Sequence, residues 1–514
     1  MTQTPETVVP VEEKDPWPAL FALCLGFFMI LVDTTIVSVA TPAIIDDLGA
    51  SVNDVVWVTS AYLLAYAVPV LITGRLGDRY GPENLYIIGL TVFTLASLWC
   101  GLTNSISMLI LARVVQGIGA SMITPQTMAI ITRIFPAARR GAAMSLWGAT
   151  AGVATLVGPI LGGVLVDGFG WEWIFFINVP IGILGIVLAV RLVPRLATNN
   201  HRFDWLGVAL SGVGMFLLVF GIQEGHQKHW AGWIVAMIAG GILVMVAFVF
   251  WQARNRAEPL VPLGIFRDRN FSLANVAITV MGFTITGILF PFMLYAQLVR
   301  GLSPTRAALL LVPMALMTLL LAKPIGGLTD RIHPRLILTV GFTLLFISYL
   351  WTSFEMTPDS STLAILLPMA LLGIASAMIW APNSATATRN LPVQQAGAGS
   401  GVYNATRQVG AVLGSAAIAV AMDSRLAAAG LHFDPAAGSA GGKLPAQVLG
   451  PFSDAMQQAL LLPTGVVLVG LVAALLFERP RHEGYAGAPG APAKEPSSAP
   501  ASADAGPAAA TSTS

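Results

Sequence analysis

The sequence predicts an all-α polytopic membrane protein with fourteen transmembrane helices, and three observations carry that expectation. Of 514 residues, 55% are hydrophobic and only 10% charged, against roughly 25% charged in a soluble domain. Apolar runs of 18 or more residues recur from position 18 to position 478, each long enough to cross a hydrocarbon layer of about 30 Å. Lys and Arg are shared unevenly between alternate connections, nineteen on one side against five on the other (Lys228, Arg300, Arg306, Arg425 and Lys443).

Apolar windows between charged or Pro/Gly-rich breaks place each span in turn. Residues 1–17 are net acidic and lack the positive n-region and cleavage site of a signal peptide, so the first helix is expected to stay. Span 1 (18–41) stops before Asp46 and Asp47, span 2 (54–74) stops at Arg75, and span 3 (86–104) begins beyond Glu83. Spans 4 (107–134) and 5 (141–166) flank Arg139 and Arg140, and span 6 (173–193) lies between Glu172 and Arg195. Spans 7 (204–223) and 8 (231–251) are parted by Glu224 and Lys228, and span 9 (272–296) follows Arg267 and Arg269. Span 10 (305–328) ends before Asp330 and Arg331, and spans 11 (336–354) and 12 (362–388) flank Glu355 and Asp359. The longest connection, 423–456, joins spans 13 (400–422) and 14 (457–478). Residues 479–514, rich in Ala, Pro, Ser and Gly, are expected to be a disordered tail.

Retention of Lys and Arg on the inner side makes both termini cytoplasmic in an even-spanning chain. A net charge of +1 offers no basic field for nucleic acid. Cys24 and Cys100 each lie in an apolar run, where a small buried hydrophobe is expected rather than a disulfide or metal ligand. Arg outnumbers Lys 22 to 5 and Ala is abundant, which hints at a GC-rich bacterial genome.

GRLGDRYGP at 74–82 aligns with GGLTDRIHP at 326–334, a repeat offset by 252 residues that follows spans 2 and 10. The repeat divides the chain into a six-helix bundle at 18–193, inserted helices 7 and 8 within 194–271, and a second six-helix bundle at 272–478. Duplicated halves are how many secondary transporters are built, with the substrate path between them near mid-membrane.

Five stretches together resemble the major facilitator superfamily, in particular its fourteen-spanner drug:proton antiporter branch of the EmrB/QacA type. They are the 74–86 loop, LVDTTIVSVATPAI (31–44), LARVVQGIGASMITP (111–125), GPILGG (158–163) and WEWIFFINVPIG (171–182). The chain departs from the branch at Pro82, Glu83 and Asn84, where basic residues are usual, and at Glu172, where Arg is usual. The resemblance implies a major facilitator fold and proton-driven multidrug efflux. It also implies a proton-linked acid at Asp33, an Arg near the proton site at Arg113, and an antiporter seam at Gly158, Pro159, Gly162 and Gly163.

The residues point the same way. An ionisable group at bilayer depth costs about 2.5 to 3.5 kcal/mol on insertion scales, so each needs a reason. Burial favours the neutral form of the Asp33 carboxyl and suits it to take up and release a proton. Arg113 and Gln116 share one helix face, and Arg113 can reach Asp33. Arg407, with Asn404 one turn before it, is open to substrate contact, gating or packing, whereas Lys323 is expected to snorkel. Tyr62, Tyr66, Trp147, Phe290, Tyr295, Trp380 and Tyr403 are candidate walls of a path for amphipathic, often cationic compounds. In the loop, Gly74, Gly77 and Gly81 allow close packing and a sharp turn. Asp78 can meet the positive end of a neighbouring helix. Asp78 and Arg79, with Asp330 and Arg331 as counterparts, are expected to latch the bundles.

Other chemistries lack support. GAGSGV (397–402) and GIGAS (117–121) have no βαβ unit around them, and GGKLP (441–445) lacks P-loop spacing, so no nucleotide cofactor is expected and an ion gradient is the expected drive. His226 and His229 have no third ligand nearby, so no metal is expected. No GxSxG or HExxH pattern points to an enzyme. The expected function is a proton-coupled exporter working by alternating access in the cell membrane, with small molecules, protons and lipid as partners. It is expected to work as a monomer, and the sequence names no periplasmic adaptor. The alternatives are an exporter of one endogenous metabolite, lipid or antibiotic, and a proton-coupled uptake symporter.

Overall fold

The computed structural model describes residues 15–50, 52–136, 139–196, 198, 204–225, 228–255, 259–329, 331–391, 395–431 and 445–478. The expectations for residues 1–14 and 479–514, for Asp330 and for His226 lie outside them. Among the described residues every regular element is a helix. Thirteen helices are long and apolar enough to cross a membrane, and one bent pair brings the number to fourteen.

Span 1 is α1 (Trp17–Leu48). Span 2 is the bent pair α2 (Val52–Ala67) and α3 (Val70–Tyr80), angled by 46°. The bend falls at Pro69, which has no N–H to continue the ladder. Span 3 is α4 (Pro82–Leu102), span 4 α5 (Ile106–Ile134) and span 5 α6 (Arg140–Phe169). Span 6 divides at Ile177 into α7 (Trp173–Phe176) and α8 (Asn178–Leu192). The inserted pair is α9 (Trp205–Gly225) and α10 (Gly232–Arg254). Spans 9 and 10 are α11 (Arg269–Leu294) and the broken α12 (Pro304–Leu309) with α13 (Val312–Thr329). Spans 11 to 14 are α14 (Pro334–Glu355), α15 (Thr362–Arg389), α16 (Ala396–Ala428) and α17 (Ala446–Leu475).

One expectation is corrected. The connection at 423–456 is helical at both ends, because α16 continues to Ala428 and α17 starts at Ala446. Asp423, Arg425, Asp454 and Gln457 end the hydropathy windows there, yet a helix can continue past the hydrocarbon where polar side chains are solvated.

The helix contacts of spans 1–6 recur in spans 9–14. α1 packs on α6, and α4 and α2 on α5; correspondingly α11 packs on α16, and α14 and α13 on α15. Small residues allow these approaches. A Cβ on Gly158 would stand 3.2 Å from the Val32 carbonyl oxygen, and one on Gly414 would collide with that of Phe283. Between the two sets, α6 packs on α13 and α15, while α3 and α5 pack on α16. The inserted α9 and α10 pack on each other, and α9 touches α2, α3 and α16.

Asp204 ties the inserted pair together just ahead of α9. Its carboxylate accepts from Gly207 N at 2.9 Å, Trp251 Nε1 at 2.8 Å, Gln252 Nε2 at 2.8 Å and Leu260 N at 3.2 Å. Burial alone raises this carboxyl, and the four donors outweigh it and hold it below its ordinary value.

Candidate functional site: a buried acid, a cavity and a latch

The first centre is built from spans 1, 2, 3, 4 and 6. Asp33 and Arg113 are both fully buried, and Arg113 Nη1 lies 2.5 Å from Asp33 Oδ2. Asp33 Oδ1 accepts from Gln116 Nε2 at 3.0 Å and from Asn178 Nδ2 at 3.2 Å. Both amides also donate to Ser97 Oγ, at 3.2 and 3.0 Å. Arg113 Nε donates to the Val58 carbonyl at 3.1 Å, and its guanidinium lies 4.1 Å over the Tyr62 ring. Arg113 Nη2 has no hydrogen-bond partner among the described residues. The carboxylate is therefore held by donors from two other spans, while the cation keeps one nitrogen unspent. Sequence reasoning misses Ser97 and Asn178. Asn178 stands inside the quoted 171–182 stretch, but nothing local marks a small polar side chain as facing a carboxylate five spans away.

The seam GPILGG runs alongside. A Cβ on Gly158 would collide with Thr35 Oγ1, and one on Gly162 would stand 3.0 Å from Ile36 Cγ1. These two glycines thus seat α6 against the turns of α1 that follow Asp33. A Cβ on Gly163 would stand 3.1 Å from Thr305 Oγ1 of α12, so the seam also reaches across to span 10. Pro159 is half-buried within α6.

The second centre is a cavity of about 150 Å³ between the two sets of spans. Its walls include Phe27, Leu31, Ala151, Phe292, Met314, Tyr349, Trp380 and Arg407. Asp33 does not line it, since its carboxylate faces α4, α5 and α8 instead. Drug-sized sites span roughly 300 to 1,000 Å³, so this conformation is too tight for a large ligand.

Of the expected path residues, only Trp380 and Arg407 line this cavity. Phe290 is corrected: it is 52% exposed on the outer surface, and Phe292, two residues on and on the opposite face of α11, takes the cavity position. Trp147 stacks on Phe27 at 4.9 Å behind the cavity wall. Tyr295 donates to the Thr357 carbonyl at 2.7 Å and holds the loop after α14. Tyr403 accepts from Asn383 Nδ2 at 3.0 Å, and Asn404 donates to the Ser400 carbonyl at 2.9 Å. Gln116 and Tyr62 belong to the acid centre. Tyr66 stands between the centres, with its hydroxyl 2.8 Å from Thr124 Oγ1 and accepting from Arg407 Nη2 at 3.1 Å. Lys323 is exposed on α13, and so is His229 after α9.

The third centre is the loop. Asp78 is fully buried at the start of α16. Its Oδ1 accepts from Gly397 N at 3.0 Å and its Oδ2 from Ala398 N at 3.0 Å. Arg133 Nη2 approaches to 2.5 Å and Arg75 Nη1 to 3.7 Å. The N–H groups of a first helical turn have no intrahelical partner and carry the positive end of the dipole, so a carboxylate is their natural acceptor. The cations are thus Arg75 and Arg133 in place of the expected Arg79, whose guanidinium lies 5.2 Å over Tyr80. A Cβ on Gly74 would meet the Gly397 carbonyl oxygen at 2.7 Å, and one on Gly77 would collide with the Gln126 side chain. Gly81 turns the chain at φ +92°. Pro82 then opens α4 and Glu83 sits in its first turn, so the departure from basic residues supplies a start for α4. In the second copy, a Cβ on Gly326 would stand 2.6 Å from Ser145 Oγ and 2.8 Å from Ala142 Cα. Each copy therefore seats against the start of span 5 or 13 in the other set. Arg331 lies exposed after α13.

The sequence matches the model described as Major Facilitator Superfamily over residues 23–415. The chain belongs to the major facilitator superfamily. Within the superfamily it is 54% identical to the uncharacterized MFS-type transporter Rv1250 of Mycobacterium tuberculosis, over 90% of this chain and 81% of that one. It is 34% identical to the tetracenomycin C resistance and export protein of Streptomyces glaucescens, over 80% and 77%. Relatives of this kind put it in the drug:proton antiporter branch of the superfamily. Its fold matches the solved proton:xylose symporter XylE with a TM-score of 0.62 at 15% identity, covering 89% of this chain and 94% of XylE.

Proposed function

We propose that this superfamily member is a proton-coupled antiporter that exports amphipathic small molecules across the cell membrane by alternating access, with both termini cytoplasmic. The observation that carries the proposal is the Asp33 carboxylate, sealed within the spans and paired with Arg113. Protonation of Asp33 cancels its attraction for Arg113, and breaking such a buried pair costs about 3 to 5 kcal/mol, enough to shift a two-state equilibrium strongly. Arg113 then has fewer partners to hold α5 against α1. Movement of α1 passes to α6 through the Gly158 and Gly162 contacts, and α6 touches α13 and α15 of the other set.

On this reading, residues 18–193 and 272–478 are the two moving bundles and the Asp78 latch holds their cytoplasmic ends together. The latch opens when the cavity must face inward. The chain works as a monomer of bacterial origin. A second reading, export of one particular compound, is favoured by the relative named for tetracenomycin C.

The test is efflux from proteoliposomes with an imposed proton gradient. Wild type should expel an amphipathic dye only while the gradient lasts, and Asp33→Asn should bind the dye yet fail to couple. Gradient-driven efflux by Asp33→Asn equal to wild type would sink the proton-site assignment, and rejection of every dye but transport of one metabolite would select the second reading.

A further inference from the structure

We infer that Arg407 sets the charge preference of the central cavity, which takes an aromatic or otherwise apolar body bearing one anionic or strong acceptor group, and disfavours permanent cations. This deepens the reading of the cavity as the transport path and rests on it. Arg407 is the one charged residue among the described residues that line the cavity. A guanidinium stays protonated in any protein setting and brings five N–H donors. Of these, Nη2 donates to the neutral Tyr66 hydroxyl, while Nε is buried with no partner among the described residues. Among the described residues no ion pair includes Arg407. Asp33, the acid of the first centre, is engaged by Arg113, Gln116 and Asn178. On the α6 side the cavity presents Ala151 and Gly152, which offer no acid.

The positive charge thus belongs to the wall of an apolar chamber, without a counter-charge among the described residues. A carboxylate, phenolate or similar group on a ligand can supply one, through the fork geometry that suits Arg to such groups. Phe27, Phe292, Tyr349 and Trp380 provide the flat apolar surfaces for the rest of the molecule. A ligand with a fixed positive charge meets the same field with the opposite sign. On this inference anionic compounds take the place of the often cationic substrates expected from the sequence.

Two planar xanthene dyes test this on the purified full-length protein in lipid nanodiscs, by fluorescence polarisation without a proton gradient: fluorescein as the anion and rhodamine 6G as the cation. Wild type should bind fluorescein at least about tenfold tighter than rhodamine 6G, a factor equal to about 1.4 kcal/mol. Arg407→Lys should keep the order, Arg407→Gln should erase it and Arg407→Glu should invert it. The methyl ester of O-methylfluorescein, which carries neither carboxylate nor phenolate, should bind wild type about tenfold more weakly than fluorescein, a comparison that needs no variant to fold. Tighter rhodamine binding by wild type, an order unchanged in the Gln and Glu variants, equal binding of the ester, or no binding of either dye overturns the inference. Selective fluorescein binding without proton-driven efflux in proteoliposomes supports it while removing the coupling mechanism proposed above.

Discussion

Replacing Asp78 by Asn should release the start of α16. The carboxylate satisfies the N–H groups of Gly397 and Ala398, the second and third residues of the helix, where no carbonyl one turn back exists to accept them. Asn is nearly the same size, but it keeps one acceptor oxygen and turns an NH₂ toward either an N–H or the Arg133 guanidinium. Loss of one partner from a buried ion pair costs about 3 to 5 kcal/mol, and even 3 kcal/mol is a factor of more than about a hundred in the closed-to-open ratio. Hydrogen exchange followed by mass spectrometry reads it directly, because the protection of these two amides depends on Asp78 and not on the helix ladder. The peptide spanning Gly397 and Ala398 should exchange about a hundredfold faster or more in Asp78→Asn, with the middle of α16 unchanged. Exchange within about threefold of wild type would show that Asp78 does not hold this end shut, and the latch would have to be abandoned.

Other sites give independent tests. Gly158→Val should lower thermal stability by about 1 to 3 kcal/mol, since even a Cβ would collide with Thr35 Oγ1; a melting curve matching wild type would refute the seam. Tyr66→Phe removes the acceptor of the Arg407 Nη2 bond and should weaken the closed conformation by about 1 kcal/mol, read as a faster opening rate by single-molecule fluorescence. Asn178→Ala should reduce gradient-driven efflux while leaving dye binding intact, because it strips a donor from Asp33 and not from the cavity. Asp204 has a lowered carboxyl, so its contribution to stability is present above the ordinary carboxylate pKa of about 3.9 and is lost as pH falls through its folded value. The wild-type melting temperature should therefore fall on acidification below about pH 4, and Asp204→Asn should melt lower at pH 7 with a flatter acid limb.

How far these sites were legible depends on the physics behind each. A charge in an apolar run is costly wherever the run packs, so Asp33, Arg113 and Arg407 announced themselves. The repeat at 74–82 and 326–334 marked the loop, and its acid met a helix start because that is where unpaired N–H groups collect. Ser97 and Asn178 stayed silent, since small polar side chains in membrane helices can also bond their own carbonyls. Phe290 and Phe292 were indistinguishable because α11 is apolar around most of its circumference. Where lipid and protein interior are equally oily, hydropathy separates helix from loop but not one helix face from another.

The linear sequence by itself determined the membrane class and the approximate number of crossings, and singled out Asp33 and Arg113, because each follows from the cost of placing polar groups in hydrocarbon; its ordered motifs pointed to the family. Only the tertiary structure decided that Asp33 turns away from the cavity and that Arg407 lines it without a counter-charge among the described residues. Both outcomes depend on the rotation of α1 and α16 about their own axes, and that rotation is set by glycine contacts between helices distant in the chain.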